Sequence, residues 1–168
     1  GYLPDELVLL FFRRGEVVNA VSLRSDARAV IPIAEALRRI RAEPERGELS
    51  FGRAPFEQLA WMFAACAGPA KARFIDERQP DRFFEAFLAE AFDGVVEFIS
   101  NGRVNYFRFI GGKYADGYCC DRPEGMPVPA YVATLFAPGA DRLPPSIAAS
   151  EIPALEEIPQ QALPAQVK

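Results

Sequence analysis

The sequence predicts an α+β fold: an antiparallel β-meander sheet packed with three to four helices, followed by an extended proline-rich arm. Three observations carry this. Gly94–Ser100, Arg103–Phe109 and Lys113–Cys120 are short runs rich in β-branched and aromatic residues, punctuated by Asn101-Gly102 and Gly111-Gly112. Both dipeptides supply the positive φ values that tight hairpin turns need, so the three runs read as a meander. Upstream, apolar residues recur at helical spacing behind prolines. From Pro138 onward prolines recur and aromatic residues stop. The expected organisation is one globular domain over 1–137, divisible into two related half-units (1–68 and 69–137), with 138–168 as an extended tail or linker.

In chain order, Leu7–Phe12 and Val17–Leu23 are apolar runs joined by Arg13-Arg14-Gly15-Glu16, a hairpin pattern. Ser25 or Asp26 can cap the next helix, in which Val30, Ile33, Leu37 and Ile40 share a face and Arg38, Arg39 and Arg41 turn outward. Pro32 sits in its first turn, where a missing N–H is harmless, and Pro44 and Gly47 end it. Glu48–Phe51 is a short strand candidate. Pro55 opens a second helix, apolar nearly all round through Phe56, Leu59, Ala60, Trp61, Met62, Phe63 and Cys66, and therefore expected to be central and buried. Gly68-Pro69 stops it. Lys71–Ile75 is a weak strand. Pro80 opens a third helix with Phe83, Phe84, Phe87, Leu88 and Ala91 on one broad face. After the meander, Pro123 to Pro129 mark a loop and Ala130–Phe136 a short helix. The tail cannot bury enough apolar surface to offset its ordering entropy, and is expected to lie across the domain or a partner through Leu143, Ile147, Ile152, Leu155 and Ile158.

Composition narrows the chemistry. The chain has 168 residues, a net charge of −4 and no histidine. Without histidine, the commonest general base and metal ligand are missing, and Ser-His-Asp or Cys-His nucleophiles are excluded. Cys66, Cys119 and Cys120 lack metal-site spacing and make no disulfide framework, so they read as reduced thiols, which fits a cytoplasmic location. Gly111-Gly112-Lys113 lies between strands rather than before a helix, and so reads as a turn and not a phosphate loop. Asp76, Glu77, Asp81, Glu85 and Glu90 lie along a solvated helix and its approach. Glu97, inside an apolar strand, is expected to pair across the sheet with Arg103 or Arg108. No catalytic residue, metal or cofactor is expected, and the chain is not read as an enzyme. The one candidate ligand site is Arg103, Tyr106 and Arg108, alternating on one strand near Tyr114 or Tyr118 as an aromatic–basic platform for a nucleotide or other anion. The negative net charge gives no footprint for nucleic acid. No apolar run approaches the ~20 residues of a membrane span. The start lacks the basic n-region of a signal peptide, and its missing Met is expected of a trimmed start or a fragment.

Leu7–Ile40 resembles Val104–Ala137 when shifted by 97 positions: Phe12 falls on Phe109, Gly15 on Gly112, Pro32 on Pro129 and Ala36 on Ala133. Duplication and coincidence both account for so few identities. The block Phe11-Phe12-Arg13-Arg14-Gly15-Glu16-Val17-Val18-Asn19-Ala20, continued by Gly47–Phe51 and the helix from Phe56, resembles the DUF4388 or PATAN-type domains of bacterial regulatory proteins. Phe92–Glu97 looks like the opening strand of a second copy, and Phe107–Gly117 like its central turn. The chain departs from that pattern in lacking an opening strand before Leu7. Such membership implies a non-catalytic signalling or adaptor module and supplies no catalytic residue. The expected work is protein–protein contact or homo-oligomerisation, through a sheet edge or the apolar helix over 54–67. The alternatives are a small-ligand sensor, and a subunit of a larger assembly with the tail as its clasp.

Overall fold

A computed structural model describes residues 2–3, 5–24, 27–42, 49–75, 79–137 and 145–152. Among the described residues the fold is α+β, with two antiparallel sheets and four helices. The first sheet has the order β1 (Tyr2–Leu3), β2 (Glu6–Arg13), β3 (Glu16–Leu23), β4 (Arg28–Val30). The helix α1 (Ile33–Ala42) follows it, then α2 (Phe56–Ala67). The second sheet is built from β5 (Ala70–Arg73), β6 (Gly94–Ser100), β7 (Arg103–Ile110), β8 (Lys113–Tyr118) and β9 (Ser146–Glu151), in the order β5-β9-β6-β7-β8. Between its strands come α3 (Arg82–Ala89) and α4 (Val128–Phe136). The meander expected from the Asn-Gly and Gly-Gly turns is β6-β7-β8. Asn101 and Gly102 both hold positive φ, 52° and 72°, as a type I′ turn requires.

The elements stack in five layers. One face of the first sheet meets α1 through Val8, Ala20, Ile31 and Ala36. The other meets α2, where Phe11 and Val21 pack on Phe63 and Cys66. The opposite side of α2, Trp61, Ala64 and Ala65, packs on Val95, Tyr106 and Ile152 of the second sheet region. This is why α2 is apolar all round: it has a sheet on each side. It also ties residues 1–68 to the rest of the chain, since its second face belongs to the other sheet. The far face of the second sheet carries α3 and α4. There Phe83 lies 5.1–6.3 Å, centroid to centroid, from Phe84, Phe87, Phe98, Phe107, Phe109 and Phe136. Each of these rings that is fully buried contributes about 1.5–3 kcal/mol, while Phe84 is partly buried.

Three sequence expectations need correction. Residues 138–168 read as an arm outside a domain ending at 137. Within that stretch Ser146–Glu151 is instead an interior strand, paired with β5 on one side and β6 on the other. Ile147 and Ala149 enter the aromatic core, Ile152 reaches α2, and the Ser150 hydroxyl donates to the Ala65 carbonyl at 2.9 Å. Small residues let this strand lie between two neighbours, and its lack of aromatics is what made it look unpackable. Leu143, Leu155 and Ile158 lie outside the described residues. Secondly, an opening strand does precede Leu7: Tyr2 and Leu3 pair with Leu7 and Glu6. Thirdly, residues 49–51 form no strand, because no described neighbour lies beside them to take up their backbone groups. Ser25, Asp26, Pro44, Gly47, Glu48, Asp76 and Glu77 lie outside the described residues.

The 97-residue offset holds in the geometry. In the first hairpin Phe11 faces Asn19, Phe12 faces Val17, and a bulge falls between Phe11 and Phe12. In β7-β8, Arg108 faces Asp116, Phe109 faces Tyr114, and the bulge falls between Arg108 and Phe109. Adding 97 to each member of the first set gives the second. The turns agree too: φ is 52° and 86° at Arg14-Gly15, and 53° and 76° at Gly111-Gly112. The pairs Tyr2–Leu7 and Leu3–Glu6 correspond in the same way to Ile99–Val104 and Ser100–Arg103. By the same offset, β1 is the counterpart of the last two residues of β6, and residues 49–54 are the counterpart of β9.

Candidate functional site

A group of exposed apolar side chains lies where β2 ends and α2 begins. β2 ends in Phe12 and Arg13, and α2 begins at Phe56 after an irregular, solvent-facing stretch from Leu49. Pro55 precedes the helix in extended conformation, with φ −53° and ψ 146°, and so turns the chain at this point. Phe51 is 84% exposed, Phe56 62%, Leu49 60% and Phe12 43%. The rings of Phe12 and Phe51 lie 6.4 Å apart, and the Arg13 guanidinium sits 5.5 Å over the Phe56 ring. A scattered exposed aromatic is ordinary, but here three gather beside one end of β2. On its β1 side, β2 is paired at Glu6 and Leu7 only, and no described strand runs beside Leu9 to Phe12.

A second polar site is closed. Arg28 on β4 donates to both carboxylate oxygens of Glu97 on β6, at 3.1 and 3.4 Å, and the Tyr106 hydroxyl donates to the same carboxylate at 3.2 Å. This ion pair joins the two sheets. Burial pulls the Arg28 guanidinium down, but Glu97 outweighs it and holds its pKa above the ordinary value. Burial and the neighbouring Glu97 carboxylate push the Tyr106 phenol up. Burial raises the nearby Cys66 thiol to about 11, so it stays protonated. Glu97 was expected to pair with Arg103 or Arg108 and does not. Its cross-strand neighbour is Tyr106, and its cation comes from the other sheet, which a strand-by-strand reading has no means to supply.

Arg103, Tyr106 and Arg108 do not form a shared platform. Strand alternation puts Arg103 on the face opposite Tyr106, and it pairs with Asp121 at 3.1 Å. Tyr106 is 3% exposed beneath α2. Arg108 is 2% exposed, and its Nη1 donates to the carbonyls of Gly94 and Phe109 at 2.9 and 2.5 Å. Burial lowers its pKa against the pull of Asp93, and its Nε has no partner among the described residues. The basic cluster on α1 is likewise engaged: Arg38 and Arg39 bind Glu35, holding that carboxyl down at about 2, and Arg39 also reaches Glu6.

Among the described residues, no helix is long and apolar enough to cross a membrane, and no three His, Cys, Asp or Glu side chains gather as a metal site. No protein-family model matches the chain, nor does any curated protein or solved structure. The aromatic surface was missed in the sequence because Phe12 and Phe51 are far apart in the chain. The nearest signal was Phe51 standing beside Gly52 in a stretch too short to bury it.

Proposed function

We propose that this chain is a non-catalytic regulatory or adaptor module of the bacterial cytoplasm that works by protein–protein contact, as its resemblance to DUF4388 or PATAN-type domains implies. One observation carries the reading: Phe12, Phe51 and Phe56 gather with exposed rings where β2 ends and α2 begins. Rigid aromatic side chains flanked by arginines are what protein interfaces concentrate at their energetic centres. The polar residues that would serve a small ligand are instead occupied, with Tyr106 and Arg108 buried and Arg103 paired.

The test is association. Light scattering of the purified protein, and crosslinking in bacterial extract, should each be compared with the double variant Phe51→Ser/Phe56→Ser. Both side chains are exposed, so the variant should keep its melting temperature and lose the association. A wild-type protein that stays monomeric and crosslinks to nothing overturns the reading.

A further inference from the structure

We propose that Asn101 is a site of spontaneous covalent modification, at which the Gly102 backbone nitrogen closes on the Asn101 side chain and the residue becomes aspartate or isoaspartate. The chain holds three asparagines, Asn19, Asn101 and Asn105, and only Asn101 precedes a glycine. Gly102 has no Cβ to hinder its own nitrogen, and nothing lies within 4 Å of where one would stand. Both residues are exposed at the tip of the β6–β7 hairpin. In a two-residue turn the hydrogen bonds run between the flanking residues, here Ser100 and Arg103, and the amide at the second turn position is left over. The Gly102 N–H accordingly donates to no described residue. The next turn differs: Gly111 donates to Asp93 Oδ1 at 2.7 Å and Gly112 to the Phe92 carbonyl at 2.9 Å. The other two asparagines are closed to this chemistry. Asn105 is fully buried, accepts from the Cys120 amide and the Tyr131 hydroxyl, and precedes the buried Tyr106. Asn19 precedes Ala20, which is buried within β3 opposite Leu10.

The reaction needs only water. The Gly102 nitrogen gives its proton to solvent hydroxide and bonds to Asn101 Cγ. The bond from Cγ to Nδ2 breaks, Nδ2 leaves as ammonia, and a five-membered succinimide remains. Water then opens the ring. Attack at Cγ gives aspartate. Attack at the main-chain carbonyl carbon gives isoaspartate, whose backbone runs through Cγ and is longer by a methylene. The net exchange is water in and ammonia out. Both products alter the hairpin end. Asn101 Nδ2 donates to Ser100 Oγ at 3.2 Å, and that hydroxyl donates to the Leu135 carbonyl of α4 at 3.0 Å. Either product removes the first of these donors and adds a negative charge next to Ser100. Isoaspartate does more, because its extra methylene lengthens the turn that sets Ser100 opposite Arg103, and the ends of β6 and β7 part.

The test is incubation of the intact protein at mildly alkaline pH, sampled over time by peptide-mapping mass spectrometry. Isoaspartate is read separately, by enzymatic methyl transfer to its carboxylate. A mass gain of about 1 Da is expected on the peptide carrying Asn101, faster at higher pH because the attacking nitrogen must lose its proton. Peptides carrying Asn19 or Asn105 should not change. In the converted fraction, hydrogen exchange at the amides of Ile99 and Val104 should quicken. The control is Asn101→Gly, since glycine holds a φ of 52° without strain. That variant should keep its melting temperature and show no gain at position 101. Conversion of Asn101 only after unfolding in urea, and none in the folded protein, overturns the proposal. An equal mass gain in Asn101→Gly places the reaction elsewhere and overturns it as well.

Discussion

Single side chains in this fold are set by which sheet face they occupy. Cys66 lies between the two sheets at 3% exposure, and burial raises its thiol to about 11. Below pH 9, its ordinary value, the thiol is protonated both folded and unfolded and adds no pH dependence. Between pH 9 and about 11 the unfolded thiol ionises and the folded one does not, so stability falls as pH rises, by at most ~1.4 kcal/mol per pH unit. Tyr106, also raised by burial, adds to the loss above pH 10. Urea denaturation across this range should show that decline, and Cys66→Ala should flatten its lower part. At pH 8 an alkylating reagent should label Cys119 or Cys120, both partly exposed, well before Cys66. Labelling of Cys66 at an equal rate would refute its placement.

At the scale of elements, strand pairing decides what substitution the chain tolerates. A Cβ on Gly94 would lie 2.2 Å from the Ser150 carbonyl oxygen and 2.4 Å from Phe92 Cζ. Backbone cannot yield as a side chain can, so Gly94→Ala should cost at least the ~1–3 kcal/mol of ordinary overpacking in denaturant unfolding. Gly52, with nothing within 4 Å of its Cβ position, is the control: Gly52→Ala should leave the midpoint within about 0.5 kcal/mol. The elements most legible in the sequence are those with local causes. The meander could be read because Asn101-Gly102 and Gly111-Gly112 declare their own turns, and α2 because its apolar residues ring the helix. β4 and β9 were not legible, since three or six residues gain strand geometry only from neighbours distant in sequence. For β9 those neighbours are β5 and β6, whose paired residues lie 47 or more positions upstream, Ile99 opposite Ser146 being the nearest.

Among the described residues, the two sheets are held by α2 and by the Arg28–Glu97 ion pair. Arg28→Ala leaves the Glu97 carboxylate, 14% exposed, with only the Tyr106 hydroxyl, and should cost about 1.5–3 kcal/mol in chemical denaturation. Glu97→Gln keeps an acceptor for Tyr106 and removes the charge, so it should cost less than Arg28→Ala. In a double-mutant cycle the two should be strongly non-additive. Additive costs would mean that Arg28 and Glu97 do not act as a pair. The candidate surface was illegible for a related reason. Arg103, Tyr106 and Arg108 look like a binding row when one strand is read alone, but α2 and Asp121 cover or engage them. Phe12 and Phe51 become a patch only once β2 and the approach to α2 have folded together.

Because β9 lies between β5 and β6, the second sheet is completed by residues made long after the strands it joins. During synthesis at about 5–20 residues per second, Gly94–Ser100 waits several seconds beside a vacant place before Ser146–Glu151 leaves the ribosome. Throughout that interval the edge of Gly94–Ser100 that β9 later covers keeps its backbone groups unpaired by β9.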